Sequence, residues 1–404
     1  MMIALDLLFI EQETARELRK AIQAETGIDE KNVFISCTHT HSGPLTVKVV
    51  AWKNDPTVPE IDMEYMQFLK DTIVASALEA SGNMFEAEAA WTSTQINGVG
   101  GNRHDPNGLR DPEAGILVIR DKRSRKIMSL SVIYGVHPTV LHEDSRMVSS
   151  DFPGYARKYL QDKLGRDLDI LYHLGPAGNQ GPRHYVKEQT FGEAERLGTL
   201  LGSQLYRRIE SLSDGDFTEK FEIDADIVPA TLPRKRILTM KDAVENLWKC
   251  RETLESLKKA GAGHGPERTA ECSIFGAEET IALAEAEENG ELAEVIAKLN
   301  PVDVQVLQLG DTFLAGLPSE IFAEYGLALK KRFTSKVYTA SLVNGYLQGY
   351  ITTPDAADKG CYESSFSVFK PEAGTIMIDA AAKIINKMLK KTRQRHKAEY
   401  VLGN

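Results

Sequence analysis

Apolar residues recur along this chain at two periods, and the alternation between those periods predicts its elements. Residues 1–10 are largely apolar, interrupted by Asp6, and read as a core strand. Residues 11–27 place Ala15, Leu18, Ala21 and Ile22 on one helical face, with Gly27 fitting the position just past a helix end. Val33, Phe34 and Ile35 begin a buried strand that Gly43-Pro44 must end. A helix is predicted over 61–80, with Met63, Met66, Phe68, Leu69, Ile73 and Leu78 expected in the core. Alternation over 85–95 predicts a strand, and 115–120 with 126–136 predict a hairpin around Lys122-Arg123-Ser124. Further helices are predicted from Asp151, over 191–209 and over 372–391, and further strands over 168–174, 221–228 and 337–343. Residues 302–309 and 312–317 form a second hairpin across Gly310-Asp311. Helices and strands interspersed in this way predict an α/β fold, a mixed β-sheet core packed with helices, in one domain over 1–404. The stretch 234–299 differs in being charged and helical. It reads as an insertion of two helices with a solvated face, separated by a linker over 261–266; a lid is the alternative.

Composition narrows the function classes. Of 404 residues 42% are hydrophobic and 26% charged, which is a globular balance. The net charge of −10 argues against nucleic-acid binding and against electrostatic adhesion to anionic membranes. No apolar run predicts an integral membrane segment, and residues 1–10 lack the basic start and cleavage site of a signal peptide. Cys37, Cys250, Cys272 and Cys361 are scattered without a Cys-x-x-Cys, which suits a reducing compartment and a cytoplasmic location. The basic stretch 390–397 reads as a solvated terminus, and no motif specifies an oligomeric state.

The candidate chemistry sits at predicted strand ends. His39 and His41, two residues apart, share a face if the backbone is extended, so both can enter one cavity. A histidine pair of this kind is either a metal or catalytic element or a structural pair. Thr38, Thr40 and Ser42 could supply supporting hydroxyls. His137 closes another strand and is followed by Pro138, a good ligand position; His142 fits a surface histidine. The Gly-rich stretch 98–104 lacks the lysine and helix of a phosphate-binding loop. Glu320 follows Pro318-Ser319 at a strand–helix junction, where a helix dipole alone would favour a carboxylate.

Thr38-His39-Thr40-His41-Ser42-Gly43-Pro44 resembles the signature of the neutral/alkaline non-lysosomal ceramidase family, zinc amidases that cut the N-acyl bond of ceramide. Weaker similarity continues in order through Asn102-Arg103, the stretch 135–139, the loop 175–183, Pro318-Ser319-Glu320 and the stretch 344–364. The resemblance implies Zn²⁺ held by His39, His137, Glu320 and Tyr350, with Tyr346 the rival for the tyrosine ligand. It also places Arg103 in the active site and turns Tyr362, twelve residues after Tyr350, toward the substrate. His41, beside a ligand, is then placed to carry a proton to a leaving amine. Two features depart from the family: Asn179 stands where it has aspartate, and Gly181 where characterised ceramidases carry serine. Compared with the family, the chain is expected to lack an amino-terminal segment and the carboxy-terminal β-sandwich, and 234–299 carries no family motif.

Two imidazoles, a carboxylate and a phenolic oxygen suit zinc, and also iron or manganese. The expectation is a zinc-dependent amidohydrolase acting on a small-molecule or lipid N-acyl substrate. The loss of a serine hydroxyl at Gly181 predicts that long-chain ceramide is not the best substrate, unless Ser319 or Thr139 replaces it. The alternatives are a metal-dependent hydrolase of a smaller N-acyl compound, ester or lactone, and a non-catalytic protein that keeps the metal pocket.

Overall fold

The computed structural model describes residues 1–402 apart from 54, 56, 57, 143 and 144. The chain opens with strand β1 (Met2–Leu5), helix α1 (Gln12–Thr26), strand β2 (Phe34–Cys37) and helix α2 (Met63–Gly82). Strands β3 (Ala87–Gln95), β4 (Gly101–Asn102), β5 (Glu113–Asp121) and β6 (Ile127–Tyr134) precede helix α3 (Asp151–Leu164). Next come β7 (Asp169–Leu174), β8 (Gln180–Gly181), α4 (Phe191–Glu210) and β9 (Ile223–Ala230). Helices α5 (Met240–Ala260), α6 (His264–Glu288) and α7 (Glu291–Leu299) lead to β10 (Val302–Leu309) and β11 (Thr312–Leu317). Then follow β12 (Glu320–Ile321), α8 (Ala323–Lys331), β13 (Val337–Ser341) and β14 (Tyr350–Ile351). Helices α9 (Pro354–Asp358), α10 (Tyr362–Ser365) and α11 (Glu372–Leu402) complete the described chain.

Two four-stranded mixed sheets, ordered β3-β5-β6-β7 and β13-β11-β10-β9, form the centre. Strands β6 and β7 pair in parallel, as do β11 and β13, while their other neighbours are antiparallel. The period of two along each strand sends alternate side chains to opposite faces, and here both faces are buried. Ile116, Val118, Leu130 and Val132 turn to one side and pack against Phe152, Leu160, Leu197 and Leu201 of α3 and α4. Leu117 and Ile133 turn to the other side and meet Leu307, Leu314 and Tyr338 of the second sheet. Val304, Val306 and Phe313, from the far face of that sheet, pack with Met377, Ile378 and Ile385 of α11. The result is four layers, helix–sheet–sheet–helix, which bears out the expected mixed α/β core. Close approach of the sheets explains Gly115: a Cβ there would fall 2.6 Å from the Tyr338 ring, which stacks on Trp91 at 5.5 Å.

The segments that follow β2, β4, β6, β11 and β13 carry His39 and His41, Arg103, His137, Glu320 and Tyr350, and Tyr362 opens α10. All five segments leave the carboxyl ends of their strands, the usual location of sites in open α/β sheets. Parallel pairing of β1 with β2 and the bridge between Ser36 and Val343 bring the loop after β2 beside the one after β13.

Two helical expectations are corrected. In α2, Met66, Leu69, Ile73 and Ala77 are buried, but Met63, Phe68 and Leu78 are exposed. Phe68 and Leu78 fall off the single stripe set by the buried residues, and Met63 lies in the first turn. The expected linker over 261–266 is confined to Gly261–Gly263, both glycines having positive φ (62° and 86°). Pro266 sits in the first turn of α6, where its missing N–H costs no helical bond. A third helix follows, because Gly290 (φ 85°) ends the run of α6 and starts α7. No helix among the described residues is long and apolar enough to cross a membrane.

Candidate active site

Strand β2 ends at Cys37, and His39 adopts φ 68°, the left-handed region that non-glycine residues rarely enter. His39 and His41 therefore do not share the face of a strand, as extended backbone would have placed them. They meet through a turn. Its backbone is pinned by Thr38 N–H to the Leu5 carbonyl (2.8 Å) and His39 N–H to the Leu7 carbonyl (2.9 Å). The two threonine hydroxyls serve this loop rather than the imidazoles, and the Ser42 hydroxyl bonds neither. Thr38 Oγ1 donates to Asp6 (3.1 Å) and Thr40 Oγ1 to the Ser149 carbonyl (2.5 Å). Asp6 also accepts from Ser150 Oγ (2.8 Å) and pairs with Arg157 (2.5 Å), tying the histidine loop to α3.

His39, His137 and Glu320 converge in the interior, at 1%, 1% and 6% exposure. His39 Nε2 lies 3.0 Å from His137 Nε2, and Glu320 Oε2 lies 3.1 Å from the first and 2.9 Å from the second. The opposite ring nitrogens are committed elsewhere. His39 Nδ1 is 3.1 Å from the Leu8 carbonyl, and His137 Nδ1 is 2.6 Å from the Ala177 carbonyl. A carbonyl can only accept, so each Nδ1 carries the proton and, in the neutral ring, each Nε2 presents a lone pair. Two lone pairs and a carboxylate oxygen thus point at one another. Burial, then the Arg103 charge, push His137 down to about 4, so its ring is neutral near pH 7. Burial opposes ionisation of Glu320, but the neighbouring imidazoles, His39 foremost, hold it well below the usual carboxylate range. A proton could bridge one of these contacts at a time; a metal cation satisfies all three. The donor set and its tautomers therefore fit a divalent ion.

His41 Nε2 lies 3.4 Å from His39 Nε2, and the three histidines offer nitrogens close enough for one ion. Unlike the other two, His41 is open to the cavity. Burial, then the neighbouring imidazoles of His39 and His137, still hold its ring well below its usual pKa. Tyr350 is the register partner of Glu320 in the β12–β14 ladder, and its ring centre lies 6.2 Å from that of His137. The rival Tyr346 stacks on Phe9 (5.0 Å) and donates its hydroxyl to the Lys48 carbonyl (2.8 Å).

Arg103 leaves the β4–β8 ladder with its guanidinium carbon 5.1 Å from the Tyr350 ring centre and 5.8 Å from that of Tyr362. Glu363 holds it there, 2.7 Å from Nε and 2.6 Å from Nη2, in a pair 1% and 7% exposed. His104 Nε2 reaches the same carboxylate oxygen at 3.0 Å. Burial pushes the Tyr362 phenol up, so it remains a hydroxyl donor. Gly181 pairs with Gly101, and a Cβ added there would meet Arg103 and His137 at 3.8 Å, ordinary contact. The position expected to carry the family serine therefore adjoins the cluster and has room for a side chain. Thr139 and His142 line the cavity, whereas Ser319 is wholly buried.

The cavity above this cluster is about 540 Å³. One wall is α6, through Arg268, Cys272, Phe275, Glu278 and Glu279. This helix packs on the site itself: a Cβ at Gly276 would lie 2.9 Å from the Tyr362 ring. Arg183, from the loop after β8, lines the same cavity. Glu363, Arg183 and the α6 residues were not among the sequence candidates. A buried-type acid next to Tyr362 was the one available signal for Glu363. The α6 residues had none, since a charged helix reads as solvated.

Residues 1–171 match the family model described as neutral/alkaline non-lysosomal ceramidase, N-terminal. The neutral ceramidase of Drosophila pseudoobscura pseudoobscura is 20% identical over 466 positions, covering 93% of this chain and 65% of the relative. Among solved structures, a ceramidase complexed with C2 superposes with a TM-score of 0.70 at 18% identity over 95% of this chain and 67% of that one. Neutral ceramidase from Pseudomonas aeruginosa gives 0.69 at 19% identity, over 95% and 66%. The chain thus spans about two thirds of the length of the relatives it matches, and the resemblance read from its motifs is borne out.

Proposed function

Starting from a chain that resembles the neutral/alkaline ceramidases, we propose that it is a zinc-dependent amidohydrolase cleaving an N-acyl bond, in a single catalytic domain with a helical insertion over 234–299. The observation that carries this reading is the meeting of His39 Nε2, His137 Nε2 and Glu320 Oε2 within 3.1 Å, with both Nδ1 protons committed to carbonyls. Those three residues and Tyr350 would hold the ion. When bound, it supplies Lewis-acid chemistry, polarising a carbonyl oxygen and activating water.

The chain's own residues supply the rest. Hydrolysis forms one C–O bond and breaks the C–N bond, and a proton from water must reach the leaving nitrogen, because an amide anion is a very poor leaving group. His41, open to the cavity and neutral, takes that proton and delivers it. Arg103, fixed by Glu363 and flanked by the rings of Tyr350 and Tyr362, sets a permanent positive charge where the oxyanion forms. The Tyr362 hydroxyl adds a donor. The α6 wall shields the reacting groups from bulk water.

The test is metal content measured together with hydrolysis of N-acyl substrates, ceramides included. Bound zinc with amide cleavage that a chelator abolishes supports the reading. Zinc without turnover of any amide, ester or lactone supports a binding protein instead.

A further inference from the structure

The charges that line the cavity differ in how they are neutralised. Arg103 is paired with Glu363 at 2.6 Å, and Arg268 with Glu271 at 3.4 Å. Glu278 is paired with Arg251 at 3.2 Å, and Glu279 accepts from the Trp52 N–H at 3.5 Å. Arg183 stands apart. Its Nη1 reaches the Arg103 carbonyl and Thr269 Oγ1, both at 3.3 Å, and its Nη2 reaches Cys272 Sγ at 3.2 Å. The two contacts to oxygen are long, both of those oxygens belong to uncharged groups, and a cysteine sulfur is a weak acceptor. Among the described residues Arg183 forms no ion pair with a carboxylate. Burial in turn pushes its guanidinium below its usual range. A half-buried cation without a directly paired carboxylate is costly, and an anion that arrives with the substrate reduces that cost.

The location is as specific as the charge. Arg183 lies two residues beyond Gly181, where an added Cβ would meet the Arg103 and His137 side chains at 3.8 Å, and it bonds the backbone of Arg103. A group held by Arg183 is therefore held beside the reacting bond rather than at the cavity mouth. The planar fork of a guanidinium matches the two oxygens of a carboxylate.

We infer that Arg183 receives a carboxylate of the substrate, so that the preferred substrates are N-acyl amino acids, with the carboxylate on the amine half. This rests on the amidohydrolase reading above and names its substrate class. Arg183 then acts as a specificity residue: it selects the anion and positions the amide, and the chemistry stays with the metal cluster.

The experiment uses a matched pair, N-hexanoylglycine and N-hexanoylglycinamide, which differ only in the charge of the amine half. A third substrate carries the carboxylate on the acyl half. Zinc-supplied wild type is expected to favour N-hexanoylglycine in kcat/KM over both. In Arg183→Gln the ratio of acid to amide should fall about 100-fold, mostly through KM, with Arg183→Lys between the two. A merely structural role would lower both substrates together and leave the ratio unchanged. A wild-type preference for the uncharged amide, for the acyl-half acid or for long-chain ceramide overturns the inference, as does an unchanged ratio in Arg183→Gln. Calorimetric Kd values for the same pair keep the test independent of turnover. Preferential binding of N-hexanoylglycine without hydrolysis would sink the hydrolase reading and keep the role of Arg183. Hydrolysis without anion preference would do the reverse.

Discussion

The floor and the wall of the cavity are built in opposite ways. The floor, His39, His137 and Glu320, stands at the ends of strands, and each ring is locked by a backbone carbonyl. Its partners are buried and its contacts short. The wall is one helix, α6, with Arg183 beside it, and its polar groups are partly exposed and held at 3.2–3.5 Å. A sheet can hold donor atoms rigidly enough to bind an ion, because its ladders fix the loops that leave it. A helix laid across the opening fixes no such geometry, but its side chains can change without disturbing the floor. On the proposed amidohydrolase reading, reactivity would reside in the floor and substrate choice in the wall.

The largest effects should come from the floor. His137→Ala or His39→Ala should lose bound metal, weakening affinity by more than the 10–100-fold typical of losing a supporting contact, and lose hydrolysis with it. Metal analysis after dialysis checks this; full metal retention in both variants would contradict the ligand assignment. His41→Ala should keep the metal and lose about 10²–10⁴ in turnover. Loss of metal in that variant would make His41 a ligand.

Glu363→Gln tests the seam between floor and wall. It leaves the Arg103 guanidinium without its buried counter-ion, and breaking such a pair costs about 3–5 kcal/mol. Urea denaturation should show that loss, and a change under 1 kcal/mol would mean that the pair is not formed.

The smallest effect belongs to the wall and depends on pH. Burial, reinforced by the charges of Asp55 and Glu278 and opposed by the Trp52 N–H, pushes Glu279 up to about 7. Below its ordinary value of 4.5 the carboxyl is protonated in the folded and the unfolded chain alike. Between 4.5 and 7 the folded chain keeps a proton that the unfolded chain has released, so this stabilising contribution is lost as pH rises through that window. Glu279→Gln should therefore melt higher than wild type at pH 8 relative to pH 5, by the equivalent of about 1–3 kcal/mol. An equal difference at both pH values would show that Glu279 ionises freely.

The same contrast explains what could be read from the sequence. The hairpins at 115–136 and 302–317 and the helix over 191–209 were legible because alternation and helical spacing are local. His39, His137, Glu320 and Tyr350 were legible because short motifs at strand ends carry them, although their convergence depends on pairing such as Glu320 with Tyr350 in β12–β14. The left-handed turn at His39 was not legible, since it is imposed by the Leu5 and Leu7 carbonyls, more than thirty residues earlier. Glu363 was missed because its partner Arg103 lies 260 residues away. The role of α6 was missed because a charged helix has the same pattern whether its polar face meets bulk water or a cavity. Met63, Phe68 and Leu78 were misjudged for the converse reason: apolar residues off the buried stripe look like core until the stripe is known.

The central claim is that the facing Nε2 lone pairs of His39 and His137 are held together by a metal ion. An anomalous difference map at the zinc edge, from crystals grown with zinc, tests it directly. The account predicts one peak bonded to His39 Nε2, His137 Nε2 and Glu320. No peak there, or a peak only on the second cluster of possible ligands, His104, Cys361 and Glu363, would contradict it.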